Sequence, residues 1–249
     1  MSEHIKTSRE GAVLNIMLAR ADKKNALTGA MYLSLIEAFE DADGDSAIRA
    51  ILISGEGGNF TAGNDIGDFL GGAKFDNDLP ALRFIRRLTI LETPLIAAVA
   101  GNAIGVGTTM LFHCDLVYAT ADARLQMPFV NLALVPEAAS SLLVPRRVGP
   151  QKAAELLMLG EAMDGVEAHR VGLVNAVVAP DRLLAHAMER AQTLASKPRN
   201  AVATTRRLIR GNPDELLERI DLEAQEFNKA LHSAEAHEVF MAFLAKGKK

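Results

Sequence analysis

Short apolar runs separated by loop-forming residues dominate the first half of the chain. Brief runs rich in Val, Ile and Leu are typical of buried β-strands. The predicted strands are Val13 to Leu18, Ile48 to Ile53, Leu95 to Ala100 and Leu116 to Ala119. Glycine or proline residues, such as Gly11 and Pro94, bound these runs and limit their length.

The segment between the first two strands has the spacing of an amphipathic helix. From Thr28 through Asp43, apolar residues that include Met31, Leu35 and Phe39 recur at helical intervals. Thr28 is placed to cap the N-terminus of this helix. Because strands and helices alternate along the chain, the sequence predicts an α/β fold.

Helices dominate from Pro150 onward, and only Leu173 to Val178 still has the pattern of a strand. Pro150 and Pro213 suit the first position of a helix. Asp164 and Glu167 have the spacing of a capping box.

The last segment predicts one long amphipathic helix from Pro213 to about Phe243. Its apolar face packs either on the protein's own core or on another subunit, and the sequence leaves both open. We therefore expect a core over residues 1–190 and a helical region over residues 191–249.

Composition and charge narrow the class of protein. The 249 residues are 49% hydrophobic and 23% charged, as in ordinary globular proteins. A net charge of −4 gives no positive field that would favour nucleic acid or anionic lipid. Apolar runs of about 20 residues, which a membrane span needs, do not occur, so a cytoplasmic protein is expected. The single cysteine, Cys114, fits a reducing compartment and is expected to be a small buried residue rather than a nucleophile.

Two glycine-rich loops, Gly55 to Asp65 and Gly101 to Thr108, each follow a predicted strand. Such loops can present backbone N–H groups to an anion. A nucleoside-triphosphate loop is excluded because no Gly-Lys-Ser/Thr ending occurs, and a dinucleotide fingerprint fails because Met110 occupies its third glycine position. The open alternatives are plain tight turns or an oxyanion hole built from both loops.

The two glycine-rich loops and their flanking motifs resemble those of the crotonase, or enoyl-CoA hydratase/isomerase, superfamily. Four motifs carry the resemblance in the expected order along nearly the whole chain. They are Leu18 to Leu27, Phe60 to Ile66, Pro94 to Gly107, and Leu125 to Phe129 followed by Leu134 to Glu137.

The resemblance implies a spiral core of ββα repeats, a helical C-terminal trimerisation region and a homotrimer or hexamer. It also implies that the N–H groups of Asn64 and Val106 form an oxyanion hole for a thioester carbonyl. The residues that would line the coenzyme A and acyl groups of the substrate are Ala26, Ala62, Gly63, Asp65, Ile66 and Phe129. Neither a metal nor a redox cofactor is expected, since coenzyme A arrives with the substrate and the histidines lack metal-ligand companions.

The hydratases of this family use two glutamates, and this chain lacks both. Thr109 occupies the first of those positions and Phe129 the second. Neither side chain can transfer a proton near neutral pH. Glu137 remains, in the loop that opens the next helix, and its position is similar to that of the lone glutamate in the Δ3,Δ2-enoyl-CoA isomerase branch. The alternative for Glu137 is a carboxylate that stabilises a helix N-terminus.

The expected activity is therefore isomerisation of 3-enoyl-CoA to 2-enoyl-CoA in fatty-acid breakdown, with Glu137 as base and then acid. Apolar neighbours would raise its pKa and suit both roles. Two rivals stay open: a hydratase acting on 2-enoyl-CoA, and an acyl-CoA-binding homologue without activity. Asp65 is also expected to fix its loop as a hydrogen-bond acceptor, and His113 to be a satisfied core residue.

Overall fold

The computed structural model of the protein describes residues 2–65, 67 and 79–246. Ile66, one of the predicted substrate-binding residues, lies outside them.

The described residues form one large, mostly parallel sheet and one small sheet. The strands are β1 (Ile5–Glu10), β2 (Val13–Leu18), β3 (Ala50–Gly55), β4 (Leu95–Val99), β5 (Asn102–Ile104), β6 (Leu116–Ala119), β7 (Arg124–Gln126), β8 (Ala162–Met163) and β9 (Ala176–Val177). The large sheet has the order β1-β2-β3-β4-β6-β9, and the small one has β5-β7-β8. Strands β1 and β2 pair antiparallel, whereas the later neighbours in the large sheet pair parallel.

Helices connect the strands and account for most of the second half of the chain. They are α1 (Gly29–Gly44), α2 (Pro80–Ile90), α3 (Val106–Thr109), α4 (Ser140–Val148), α5 (Pro150–Met158), α6 (Gly165–Arg170), α7 (Leu183–Ala195), α8 (Arg199–Arg210), α9 (Pro213–Leu231) and α10 (Ala234–Lys246). The predicted caps are present: Thr28 accepts a hydrogen bond from the Met31 N–H, and Asp164 accepts one from the Glu167 N–H.

The inner strands of the large sheet are buried on both faces because helices cover them on both sides. Ile51 and Ile53 of β3 belong to the main hydrophobic cluster, together with residues of α1 and α2. Leu52, one residue between them, points to the other face and packs in a second cluster with Ala187 and Ala191 of α7. This two-sided burial explains why the parallel strands are continuous apolar runs.

The predicted single helix from Pro213 to about Phe243 is wrong. The chain leaves the helix at His232, and a new helix starts after Ser233, whose Oγ accepts a hydrogen bond from the Ala236 N–H. Ser233 therefore acts as an N-cap in the middle of a continuous apolar pattern. The division of the chain at residue 190 stays a prediction, and that residue lies inside helix α7.

Candidate active site

Three asparagine side chains tie the N-terminal motif to the two glycine-rich loops. Asn25 Nδ2 donates to the backbone oxygens of Glu56 and Asn59, at 2.9 and 2.7 Å. Asn59 Oδ1 in turn accepts from the backbone N–H and the side-chain amide of Asn102, at 3.2 and 2.7 Å. The sequence analysis missed this role, although Asn25 lies inside the first motif and is fully buried.

Backbone pairing then aligns the three segments. The Leu27 N–H donates to Gly63 O at 2.8 Å, and the Asp65 N–H donates to Leu27 O at 2.9 Å. On the other side of the same segment, the Thr61 N–H donates to Asn102 O, and Thr61 O accepts from the Ile104 N–H. The two glycine-rich loops therefore run parallel and in contact.

Glycines permit the close approach of the two loops. A β-carbon on Gly63, which has φ +87°, would lie 2.6 Å from Ile104 O. A β-carbon on Gly107 would lie 2.5 Å from Thr61 Cγ2. Gly105 has φ +56° and ψ −119°, a conformation essentially limited to glycine, and it reverses the chain just before Val106.

The register of the loops brings the predicted oxyanion-hole residues to matching positions. Thr61 is paired with Ala103. Asn64 and Val106 each follow three residues later, at the end of the paired stretch. Within the described part of the chain, neither backbone N–H donates to an acceptor. Two adjacent, available amides of this kind can stabilise an oxygen that becomes negatively charged.

The side chain of Asn64 does not extend into free space. Its Oδ1 accepts a hydrogen bond from the Tyr32 hydroxyl of α1. The two residues line a small pocket together with Leu27, Leu79 and Ala81. The contact holds the side chain of Asn64 against helix α1.

Glu137 is buried, with only 3% of its surface exposed. Oε1 accepts a hydrogen bond of 2.6 Å from the Thr109 hydroxyl. Oε2 is also buried and has no hydrogen-bond partner among the described residues. Thr109 ends helix α3, and Val106 begins it. The hydrogen bond therefore joins the carboxyl group to the short helix that begins at Val106.

Burial raises the pKa of Glu137 to about 8. The hydrogen bond from Thr109 opposes this shift, whereas the negative charge of Glu223 adds to it. A carboxyl group with a pKa in this range can both accept and release a proton near neutral pH. Phe129, Leu134 and Ala138, which the sequence predicts as apolar neighbours of Glu137, are all buried in the main cluster.

The turn that carries Glu137 has an unusual backbone. Ala138 and Ala139 have φ values of +58° and +57°. This left-handed conformation costs roughly 1–2 kcal/mol for each residue other than glycine. Two buried side chains contact the turn: His113 Nε2 donates to Ala138 O at 2.8 Å, and Glu223 accepts from the Ala139 N–H at 2.6 Å.

His113 is the satisfied core residue that the sequence predicts. Burial lowers its pKa to about 4, so the ring is neutral and carries its hydrogen on Nε2. The sequence analysis missed Glu223. The sequence does indicate that Glu223 is buried, because it shares one helical face with Ile220 and Phe227. All three side chains are buried.

The predicted substrate-binding residues lie along the aligned segments. Ala62 is half-buried, and Gly63 is buried between Leu27 and Ile104. Asp65 fixes its loop as expected: Oδ2 accepts from Arg20 Nη1 at 2.6 Å, and Oδ1 accepts from the Gly67 N–H at 3.0 Å.

Ala26 and Phe129 complete this set. Ala26 O accepts a hydrogen bond of 3.0 Å from the same Arg20 nitrogen that binds Asp65. Phe129 is buried, and its backbone oxygen accepts from the Leu134 N–H at 2.9 Å. Their contacts with a substrate stay predictions.

Residues 2–65, 67 and 79–246, which the structure describes, contain neither a metal-binding cluster nor a membrane-spanning helix. Groups of three or more His, Cys, Asp or Glu side chains that could hold a metal ion do not occur there. Among those residues, too, every helix is too short or too polar to cross a bilayer.

Comparison with known proteins gives a family. The family model described as enoyl-CoA hydratase/isomerase matches residues 8–249. Enoyl-CoA delta isomerase 2 of Rattus norvegicus is 33% identical, over 89% of this chain and 58% of the rat protein. A probable enoyl-CoA hydratase of Bacillus subtilis is 36% identical, over 90% of this chain and 89% of that protein.

Solved structures agree with the sequence comparison. The structure of Pseudomonas aeruginosa OdaA superposes with a TM-score of 0.94 at 45% identity, and it covers 97% of this chain and 99% of its own. These likenesses confirm the superfamily and the fold class that the motifs implied.

Proposed function

We propose that this chain, which belongs to the enoyl-CoA hydratase/isomerase family, moves the double bond of a 3-enoyl-CoA to the 2-position. One observation carries the proposal. Of the three positions where the resemblance puts catalytic glutamates, only residue 137 holds an acid; the other two hold Thr109 and Phe129. A single carboxyl group suffices for an isomerisation, because the proton removed from one carbon is returned to another.

The reaction can be followed atom by atom. The Glu137 carboxylate removes a proton from C2 of the 3-enoyl thioester, and the electron pair of that C–H bond moves toward the carbonyl. The thioester oxygen becomes negative, while the C3–C4 double bond is conjugated with the resulting enolate. The protonated Glu137 then delivers the same proton to C4. The C2–C3 double bond forms, the carbonyl is restored, and Glu137 ends as a carboxylate.

The N–H groups of Asn64 and Val106 stabilise the enolate oxygen. Aligned donors in a site that excludes water are worth about 3–4 kcal/mol each in transition-state stabilisation. Both donors belong to the backbone and are positioned by the paired loops. We assign the coenzyme A moiety to the segments around Ala26 and Ala62 to Asp65, with Ile66 beyond them, and the acyl chain to the neighbourhood of Phe129.

The relatives support the reaction class without deciding between its members. Enoyl-CoA delta isomerase 2 and the probable hydratase have similar identity to this chain. The missing acids at residues 109 and 129 favour the isomerase. Hydration would require a second group to activate water, and Thr109 and Phe129 cannot do so.

We also propose that the enzyme acts in fatty-acid breakdown in the cytoplasm, as a homotrimer or hexamer and without a metal or redox cofactor. Apolar side chains exposed on two helices support an assembly. Leu208 and Ile209 of α8 are 76% and 80% exposed, and Met158 at the end of α5 is 72% exposed. Large apolar residues clustered on a surface are typical of subunit contacts.

An assay of the wild-type protein beside Glu137→Gln tests the proposed function. With 3-enoyl-CoA, the wild type should produce the ultraviolet absorbance of a conjugated thioester, and the variant should be slower by at least about a hundredfold. With 2-enoyl-CoA, a hydratase would instead remove that absorbance. Loss of the 2-enoyl-CoA absorbance with the wild-type protein would contradict the proposal. Equal turnover of 3-enoyl-CoA by the wild type and Glu137→Gln would contradict it too. If both proteins bind the thioester but neither turns it over, the chain is a non-catalytic homologue.

A further inference from the structure

Two acidic side chains are buried in the described part of the chain, Glu137 and Glu223. The mechanism uses the first and leaves the second without a role. Glu223 belongs to helix α9, more than eighty residues beyond Glu137 in the sequence. A buried carboxylate is costly unless hydrogen bonds compensate for its lost hydration, so its contacts indicate what it does.

All three hydrogen bonds of Glu223 go to the turn that carries Glu137. Oε2 accepts from the Ala139 N–H at 2.6 Å. Oε1 accepts from the Ser141 N–H at 2.9 Å and from the Ser141 hydroxyl at 2.5 Å. Both side-chain oxygens of Glu223 act as acceptors in these hydrogen bonds. An ionised carboxylate has two such oxygens, whereas the glutamine side chain of similar size has only one.

The turn needs such support because its backbone is strained. Ala138 and Ala139 both adopt the left-handed conformation, which side chains with a β-carbon avoid. Such conformations persist only where the surroundings hold them. The Ala139 N–H, which Glu223 binds, belongs to the second of these two residues.

We propose that Glu223 is a positioning residue for Glu137: its carboxylate holds the strained turn in place, and its negative charge sets how readily Glu137 gives up its proton. This proposal rests on the proposed function, because Glu223 has a catalytic effect only if Glu137 transfers a proton. Both carboxyl groups lie in a medium of low polarity, where like charges repel over several ångström.

The charged and titratable groups around the turn are few. His113 contacts it from the segment Met110–His113 and is neutral at physiological pH. Burial raises the pKa of Glu223, while its hydrogen bonds from Ser141 and Ala139 and the charge of Arg219, on the same helix, oppose that rise. Arg210 of α8 donates to the backbone oxygen of His113. The pKa of Glu137 rises partly because of Glu223, whereas no basic side chain contributes to its shift.

Glu223→Gln separates the charge of this residue from its shape. The amide oxygen can still accept from Ser141, but the amide NH2 faces the Ala139 N–H and loses that hydrogen bond. The matched control is Glu218→Gln, which removes one negative charge from an exposed position on the same helix. The first readout needs no substrate: the carboxyl carbon of Glu137 is titrated by 13C NMR, with its signal assigned by its loss in Glu137→Gln.

We expect the pKa of Glu137 to fall by at least about half a unit in Glu223→Gln and to stay unchanged in Glu218→Gln. The acid limb of kcat/KM with 3-enoyl-CoA should move by the same amount. An unchanged Glu137 titration would overturn the proposal. If the titration shifts but the wild type does not isomerise 3-enoyl-CoA, the proposed function fails and the link between the two carboxyl groups stands.

A second variant tests the support of the turn. Glycine adopts the left-handed conformation without strain, so Ala139→Gly should make the turn less dependent on Glu223. We expect kcat of Glu223→Gln to be about tenfold below that of the wild type at pH 9, with KM nearly unchanged, and Ala139→Gly in the same protein to recover most of the loss. A double variant that is no more active than Glu223→Gln would contradict this role.

Discussion

The Thr109 hydroxyl donates a hydrogen bond of 2.6 Å to Glu137 Oε1. The residue that replaces the first acid of the hydratases therefore contacts the acid that remains. A hydrogen bond to the charged form of a carboxyl group stabilises that form. Thr109 thus partly offsets the burial that raises the pKa of Glu137, and it links this carboxyl group to the helix that starts at Val106.

Replacing Thr109 by Val should therefore raise the pKa of Glu137 above that of the wild type. The carboxylate loses a hydrogen bond, while the volume of the side chain is kept. At pH 7 we expect kcat/KM to fall several-fold, with a smaller loss at pH 9, where the base is ionised in both proteins. Thr109→Ser, which retains the hydroxyl group, is the control and should keep the wild-type profile. A loss in Thr109→Val that is the same at all pH values would contradict this explanation.

The pH dependence of the wild-type enzyme follows from the state of its base. In the proposed reaction Glu137 has to be ionised to remove the C2 proton, and burial raises its pKa to about 8. The plot of kcat/KM for 3-enoyl-CoA should rise about tenfold per pH unit below that value and level off above it, because this parameter reports the free enzyme. Initial rates between pH 5.5 and 9.5 would measure it, with pH as the only variable. An activity that is flat down to about pH 5 would exclude Glu137 as a buried base.

Sequence patterns predicted the interior of the sheet better than its edge. Strands β2 and β6 have the predicted bounds because their residues pack in hydrophobic clusters on both faces of the sheet. Strand β1 was not predicted, since only Ile5 of its six residues is buried. The break between α9 and α10 was also missed, because Ser233 interrupts a helix whose apolar spacing continues across it.

The sequence predicts the features of the candidate site that lie within single motifs, but not those that depend on contacts between distant segments. Motif order predicts that Asn64, Val106 and Glu137 act in one reaction, and this stays a prediction. Whether a backbone amide is available depends on the pairing of loops 42 positions apart, as for Thr61 and Ala103. The helical pattern can indicate that Glu223 is buried, but not what it binds, because the backbone N–H groups that it binds are 82 and 84 residues away. Contacts of this kind form only after the C-terminal helices fold onto the core.

Burial of Glu137 should also make the stability of the protein depend on pH. Its pKa is about 8 in the folded state and near 4.5 when the chain is unfolded, so the folded state binds this proton more tightly. The stabilisation is complete below about pH 4.5 and is lost as the pH rises through 8. Glu137→Gln abolishes this loss, because a glutamine cannot ionise.

Urea denaturation of both proteins at pH 6, 7, 8 and 9 measures the effect. The difference in unfolding free energy, variant minus wild type, should grow with pH by up to about 1.4 kcal/mol per unit and level off above pH 8. Titrating groups remote from Glu137 are shared by the two proteins and cancel in the difference. A difference that does not vary with pH would mean that Glu137 titrates as an exposed carboxyl group.

Gly63→Ala should damage the oxyanion hole without unfolding the protein. The added β-carbon would lie 2.6 Å from Ile104 O, so the two glycine-rich loops have to separate, and the Asn64 amide moves away from that of Val106. Losing one aligned donor typically lowers kcat by about 10²–10³-fold. Gly172→Ala is the matched control, because Gly172 has φ +79° but nothing within 4 Å of the added carbon. Both variants incur the backbone strain of a positive φ, but only Gly63→Ala also meets backbone, so it should lose more thermal stability than Gly172→Ala. At a temperature where both variants are folded, only Gly63→Ala should lose turnover of 3-enoyl-CoA. Equal kcat values in the two variants would mean that the spacing of these loops does not position the donors.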